Sequence, residues 1–155
     1  MIKLVIICSG NTCRSPMAQG LLHKIIRERY PELQDKIVVT TAGLYAMKDE
    51  PASKNALTVM REMTIDLSSH RARRLTPDLV DDSDMIITMT RAHKAHLLKE
   101  YPNHSDKIMT LYEAGGQPAA DVQDPFGSGI EVYRQCRDEI TGLLEEVIKS
   151  ERLKQ

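Results

Sequence analysis

Neither sign of charge prevails in this chain of 155 residues. The 21 lysines and arginines meet 22 aspartates and glutamates, for a formal net charge of −1. Such a balance offers no field for a nucleic-acid backbone or an anionic membrane surface. No run of ~18 apolar residues exists, so no membrane span is expected. The apolar stretch Ile2–Ile7 is too short for a secretory signal and no small-residue cleavage site follows it, so none is expected. Cysteine occurs three times, an odd count without a disulfide framework; the expectation is reduced thiols in the cytoplasm. Repeats, low-complexity tracts and internal linkers are missing too. What is left is ordinary globular composition, 41% hydrophobic and 28% charged, sufficient for one domain over residues 1–155 with a core of its own. A monomer is expected, for want of an obvious interface stripe.

The apolar pattern alternates between strand and helix. Residues 2–7 form a continuous apolar run, as in a strand buried on both faces. From Ser15 to Arg29 the apolar residues Met17, Leu21, Leu22, Ile25 and Ile26 recur at helical spacing, with Ser15 as N-cap and Pro16 at the first helical position. Residues 37–41 are β-branched and end at Ala42-Gly43. Residues 52–63 read as a helix, 84–89 as a buried strand, 91–100 as a helix and 107–111 as a short strand. A long Gly- and Pro-containing loop covers 113–129, and a closing amphipathic helix covers 130–150. Alternation of this kind means an α/β fold, a three-layer sandwich with a parallel sheet flanked by helices on both faces.

Between the first strand and the first helix stands Cys8-Ser9-Gly10-Asn11-Thr12-Cys13-Arg14-Ser15. An anion held at a helix N-terminus meets free backbone N–H groups and the positive end of the helix dipole. Arg14 adds a planar two-pronged donor that matches phosphate. The same field favours a thiolate, the form of cysteine that attacks. The loop lies at the carboxyl end of a strand, where α/β sheets present their ligands. Metal ligation by Cys8 and Cys13 is disfavoured, because no second Cys or His pair has zinc-like spacing and Arg14 beside a cation is unfavourable. No metal and no cofactor is expected.

The string Val5-Ile6-Ile7-Cys8-Ser9-Gly10-Asn11-Thr12-Cys13-Arg14-Ser15-Pro16-Met17-Ala18 closely resembles the active-site signature of low-molecular-weight protein tyrosine phosphatases. Thr41-Ala42-Gly43, Ser69-His70-Arg71-Ala72-Arg73 and Asp124-Pro125-Phe126 continue the resemblance in family order over residues 1–150. The resemblance implies a four-stranded sheet in the order 2-1-3-4 and phosphorylated protein substrates. It makes Cys8 the nucleophile that forms a cysteinyl-phosphate. Arg14 and the amides of residues 9–15 hold the phosphoryl oxygens. Ser15 donates to the sulfur. Asn11 takes a left-handed backbone conformation, its side chain held by His70 and by Thr41, which stands where the family has serine. Asp124 is the general acid, with Asp121 as its rival. Histidines 23, 93, 96 and 104 are expected at the surface. Arg71, Arg73 and Arg74 are expected on a solvated face, with Asp81, Asp82 and Asp84 as caps and surface charges.

Thr12 and Phe126 depart from the tyrosine-specific pattern, which has isoleucine or leucine at the first position and tyrosine or tryptophan at the second. Both departures resemble the protein arginine phosphatase branch of Gram-positive bacteria. A phosphoguanidinium group is thin, planar and polar, and a small, partly polar wall suits it better than it suits a phenol. The expectation is therefore phosphoarginine hydrolysis, with phosphotyrosine as the alternative. Arsenate reduction is a weaker one, since only Cys13 and Cys136 remain as relay thiols. A non-catalytic phosphopeptide-binding module is disfavoured because Cys8 and Asp124 are both present. Cys8 and Cys13, five positions apart, could join in a disulfide under oxidation.

Overall fold

The computed structural model describes residues 1–154. Its centre is β1 (Ile2–Cys8), whose side chains alternate between two apolar layers. Ile2, Leu4, Ile6 and Cys8 enter the larger core, while Val5 and Ile7 enter a smaller one on the opposite face. A strand apolar on both faces belongs in the middle of a covered parallel sheet. β1 pairs in parallel with β2 (Ile37–Gly43) on one side and β3 (Met85–Thr88) on the other. β3 in turn pairs with β4 (Ile108–Thr110), giving the order β2-β1-β3-β4.

The larger core is roofed by α1 (Arg14–Arg29), α2 (Lys54–Arg61) and α6 (Ile130–Lys149), with the short α5 (Leu111–Ala114) beside them. The smaller core lies under α3 (Pro77–Asp82) and α4 (Arg91–Glu100). These two layers and the sheet make the expected three-layer sandwich. No helix among the described residues is long and apolar enough to cross a membrane.

Several boundaries differ from the sequence reading by one or two residues, and α3 is not assigned there; two of the differences have a clear physical reason. The fourth strand stops at Thr110, because Thr110 caps α5: its hydroxyl accepts from Glu113 N–H while the Glu113 carboxylate accepts from Thr110 N–H. That reciprocal box turns Leu111 out of the strand and into a helix. The first helix begins at Arg14, one residue before Ser15, with Cys13 at the cap position and no side-chain cap bond. Ser15 is therefore not the cap; its hydroxyl is committed elsewhere.

α2 and α6 are joined by charge. Glu62 accepts from Arg134 at 2.8 Å and from the nearly buried Arg137 at 2.7 Å, and Arg137 also donates to the Val59 carbonyl at 2.9 Å. The two arginines hold the Glu62 carboxyl down at about 2.

Candidate active site

β1 delivers Cys8 to the carboxyl edge of the sheet, and residues 9–13 wrap back over it before α1 starts. Asn11 sits at φ 56°, the left-handed conformation that lets the loop turn back on the sulfur. Its N–H donates to Cys8 Sγ at 3.3 Å, and the Ser15 hydroxyl stands 3.0 Å from the same sulfur. Both groups are within hydrogen-bonding reach of the one sulfur. The Asn11 amide Nδ2 donates to Ser15 Oγ at 2.7 Å, so the Ser15 proton is left for the thiol. The Arg14 and Ser15 N–H groups that open α1 have no helical carbonyl before them to bond and are open to an anion, whereas Met17 N–H already donates to the Cys13 carbonyl at 3.1 Å.

The support around Asn11 is partly as expected and partly different. His70 does reach it, but Nε2 donates to the Asn11 backbone carbonyl at 2.6 Å rather than to its side chain. Burial lowers the His70 pKa, so the imidazole is present as a neutral donor. The amide oxygen of Asn11 accepts the Arg73 backbone N–H at 3.0 Å. Thr41 is buried, yet it makes no hydrogen bond to Asn11 among the described residues. Ser15 and the Arg73 N–H take one bond at each end of the amide, the places where the resemblance puts Thr41 and His70.

Other segments clamp the rest of the loop. Leu44 N–H donates to the Cys8 carbonyl at 3.1 Å, Tyr45 N–H to that of Ser9 at 2.9 Å, and Ser53 N–H to that of Thr12 at 2.9 Å. Gly43 has to be glycine here, since a Cβ would lie 2.6 Å from the Ser9 carbonyl oxygen and 3.0 Å from Asn11 N. The Cys13 thiol lies 3.3 Å from Ser53 Oγ and 3.4 Å from the Tyr133 hydroxyl of α6.

His93, expected at the surface, is a correction. It lies on the first turn of α4, 6% exposed, with Nε2 2.8 Å from Ser9 Oγ. Nothing in its sequence surroundings, Arg91-Ala92-His93-Lys94, marks an inward-facing position; the one available signal is the i, i+4 relation to the buried Leu97.

Arg14 is almost fully buried. Nη1 donates to the Val122 carbonyl at 2.9 Å, and Nη2 lies 3.6 Å from Asp124 Oδ2. Nε is buried without a partner among the described residues. A buried guanidinium N–H without an acceptor is costly, and an oxyanion in the adjoining cleft would satisfy it. The other oxygen of Asp124 accepts Phe126 N–H at 3.1 Å, so the acid-bearing turn is closed by the acid itself. Asp121 is occupied otherwise, accepting from Arg91 N–H at 2.8 Å and from its guanidinium at 3.2 Å. A cleft of about 280 Å³ runs over the loop, lined by Cys8, Thr12, Arg14, Glu50, Asp124 and Phe126 among others.

A thiol at the end of a central parallel strand, under an anion cradle and opposite an aspartate, defines a cysteine-dependent phosphatase. Residues 3–155 match the sequence model of the family described as low molecular weight phosphotyrosine protein phosphatase, and the chain belongs to that family. It is 36% identical over 148 residues to a protein-arginine-phosphatase of Bacillus subtilis, covering 96% of this chain and 95% of that one. A variant of the YwlE arginine phosphatase with a phosphorylated active-site serine superposes with a TM-score of 0.92 at 32% identity, covering 99% and 98% of the two chains. A low molecular weight protein tyrosine phosphatase from T. tengcongensis superposes at 0.88, with 35% identity over 97% of this chain and 99% of that one.

Proposed function

We propose that this phosphatase hydrolyses phosphoarginine in proteins through a cysteinyl-phosphate. In the first step the Cys8 thiolate attacks phosphorus, the P–N bond breaks, and the departing guanidine nitrogen takes a proton from the Asp124 carboxyl. In the second step water attacks phosphorus, its proton passes to the Asp124 carboxylate, and the S–P bond breaks with Ser15 donating to the leaving sulfur. Arg14 and the loop amides hold the equatorial oxygens in both steps, where negative charge spreads over them.

The observation that carries the choice of substrate is the make-up of one cleft. Thr12, Glu50 and Asp124 line it together with Phe126. The small, part-polar wall of Thr12 leaves room for a planar guanidinium, and the Glu50 carboxylate favours its positive charge. The 36% identity to a protein named for arginine dephosphorylation supports the same reading. Phosphotyrosine is the second reading, favoured by Tyr45, Met47 and Phe126, three exposed apolar side chains at the mouth that would flank a phenol. Arsenate reduction gains no support, because burial pushes the Cys136 thiol up to about 12, out of the range of a relay nucleophile.

The test compares kcat/KM for phosphoarginine and phosphotyrosine peptides in the wild type and in Thr12→Ile. Wild-type preference for phosphoarginine is expected. The added aliphatic bulk should move the ratio toward tyrosine by about ten- to a hundredfold, the usual scale for one wall group. Wild-type preference for phosphotyrosine would overturn the arginine reading.

A further inference from the structure

His93 is the one buried imidazole that the proposed chemistry does not use. It belongs to α4, on the opposite side of the sheet from α1, and it reaches the cradle at the first residue after the nucleophile. Ser9 is then held from two directions, its carbonyl by Tyr45 N–H and its hydroxyl by His93. The second ring nitrogen, Nδ1, is buried and has no partner among the described residues.

That orphan determines the tautomer. A neutral imidazole has one N–H and one lone pair. Stranding a lone pair is less costly than stranding an N–H, which puts the proton on Nε2, donating to Ser9 Oγ. The Ser9 hydroxyl proton is thereby released from the histidine. Ser9 itself lines the cleft beside Cys8 and Arg14, where the nearest demand for a donor is the anion.

We infer that His93 is a positioning residue that fixes the Ser9 hydroxyl as an additional hydrogen-bond donor to the transferring phosphoryl group. The inference rests on the phosphatase reading of the cradle but not on the choice between arginine and tyrosine. The charged environment agrees with a neutral ring: burial first, then the Arg14 guanidinium, lower the His93 pKa to about 4 against the opposing pull of Asp124 and Asp121, with His96 adding to the lowering. The donor is accordingly present throughout the neutral range. Asp81, Asp82 and His104 take no part, being engaged with His104, Lys3 and Asp81 respectively.

The experiment measures kcat and KM for phosphoarginine peptide and an aryl phosphate in the wild type, His93→Ala, His93→Gln, Ser9→Ala and the Ser9→Ala/His93→Ala double variant. A donor acting on the transition state predicts a fall in kcat of about tenfold in His93→Ala and in Ser9→Ala, with KM nearly unchanged. The double variant should lose no more than either single one. His93→Gln, whose amide N–H can reach Ser9, should recover most of the rate, a rescue that a space-filling role would not require. Should His93→Ala fail to fold, Ser9→Ala and His93→Gln carry the same test. Additive losses, or a Ser9→Ala variant with wild-type kcat, would overturn the inference while leaving the phosphatase intact. A wild type inert on both substrates would overturn the reading of the cradle as well.

Discussion

Ser15 Oγ lies 3.0 Å from Cys8 Sγ and already accepts the Asn11 side-chain amide at 2.7 Å. The amide thus orients the hydroxyl, and the hydroxyl proton is aimed at the sulfur. Such a donor matters most when sulfur leaves phosphorus as a thiolate. Ser15→Ala should therefore slow hydrolysis of the cysteinyl-phosphate more than its formation. Steady-state kcat is expected to fall on the order of a hundredfold, the scale of one lost transition-state donor. Rapid-quench kinetics would show a burst of first product in the variant. Equal slowing of both steps would contradict this role.

Asp124 holds its turn closed with one oxygen and faces Arg14 with the other. Asp124→Asn keeps the acceptor for Phe126 N–H and removes the transferable proton. We expect kcat on a phosphoarginine peptide to drop by about 10²–10⁴-fold. A phosphate ester of a strongly acidic phenol should suffer less, since its leaving group needs no proton. A uniform loss across leaving groups would mean that Asp124 acts on phosphate binding instead.

Gly43 and Gly142 make opposite predictions from the same substitution. A Cβ at Gly43 would press 2.6 Å from the Ser9 carbonyl oxygen, a backbone atom with no rotamer to yield. Gly43→Ala should cost about 1–3 kcal/mol as an overpacked site and depress kcat by displacing the cradle. At Gly142, in the interior of α6, a Cβ meets nothing within 4 Å, and alanine should stabilise by about 0.5–1 kcal/mol. Denaturant unfolding with activity assays on the two variants checks both.

Much of this was legible in the sequence. The continuous apolar run of residues 2–7 matches a strand buried on both faces at the centre of the sheet, and Cys8, Arg14 and Asp124 come together around one cleft. What could not be read was how side chains would share partners. Ser15 has the profile of a helix cap, but the loop closure offers its hydroxyl a sulfur and an amide instead, and Cys13 occupies the cap position uncapped. Thr41 keeps a hydroxyl beside the site, but Asn11 is satisfied by a backbone N–H from Arg73, which no pattern of side chains reveals. His93 sits in a polar stretch of α4 whose buried face is narrow, only His93 and Leu97, so the apolar pattern did not point inward there.

Stability should fall with acid in two successive windows. His93 has its pKa lowered from 6.5 to about 4, so the unfolded chain binds the extra proton between those values and stability declines as pH falls from about 6.5. The contribution is at most on the order of 3 kcal/mol. Glu62 is lowered from 4.5 to about 2 by Arg134 and Arg137, so its stabilisation is complete above about 4.5 and is lost as pH falls toward 2. Urea midpoints measured across pH should flatten in the upper window for His93→Gln and in the lower one for Glu62→Gln. A flattening in the wrong window for either variant would refute the assignment.

The cradle is held by Leu44, Tyr45, Ser53, His70, Arg73 and His93, residues far along the chain from Cys8. A peptide of residues 8–15 alone would lack the clamps that hold the left-handed turn at Asn11 and aim the hydroxyls. During synthesis the nucleophile is made early and the aspartate only at position 124. Every shorter nascent chain therefore lacks the acid, and full turnover begins only with a chain that has both reached Asp124 and docked its clamps. Activity regained on refolding should accordingly report assembly of the whole sheet rather than closure of the loop.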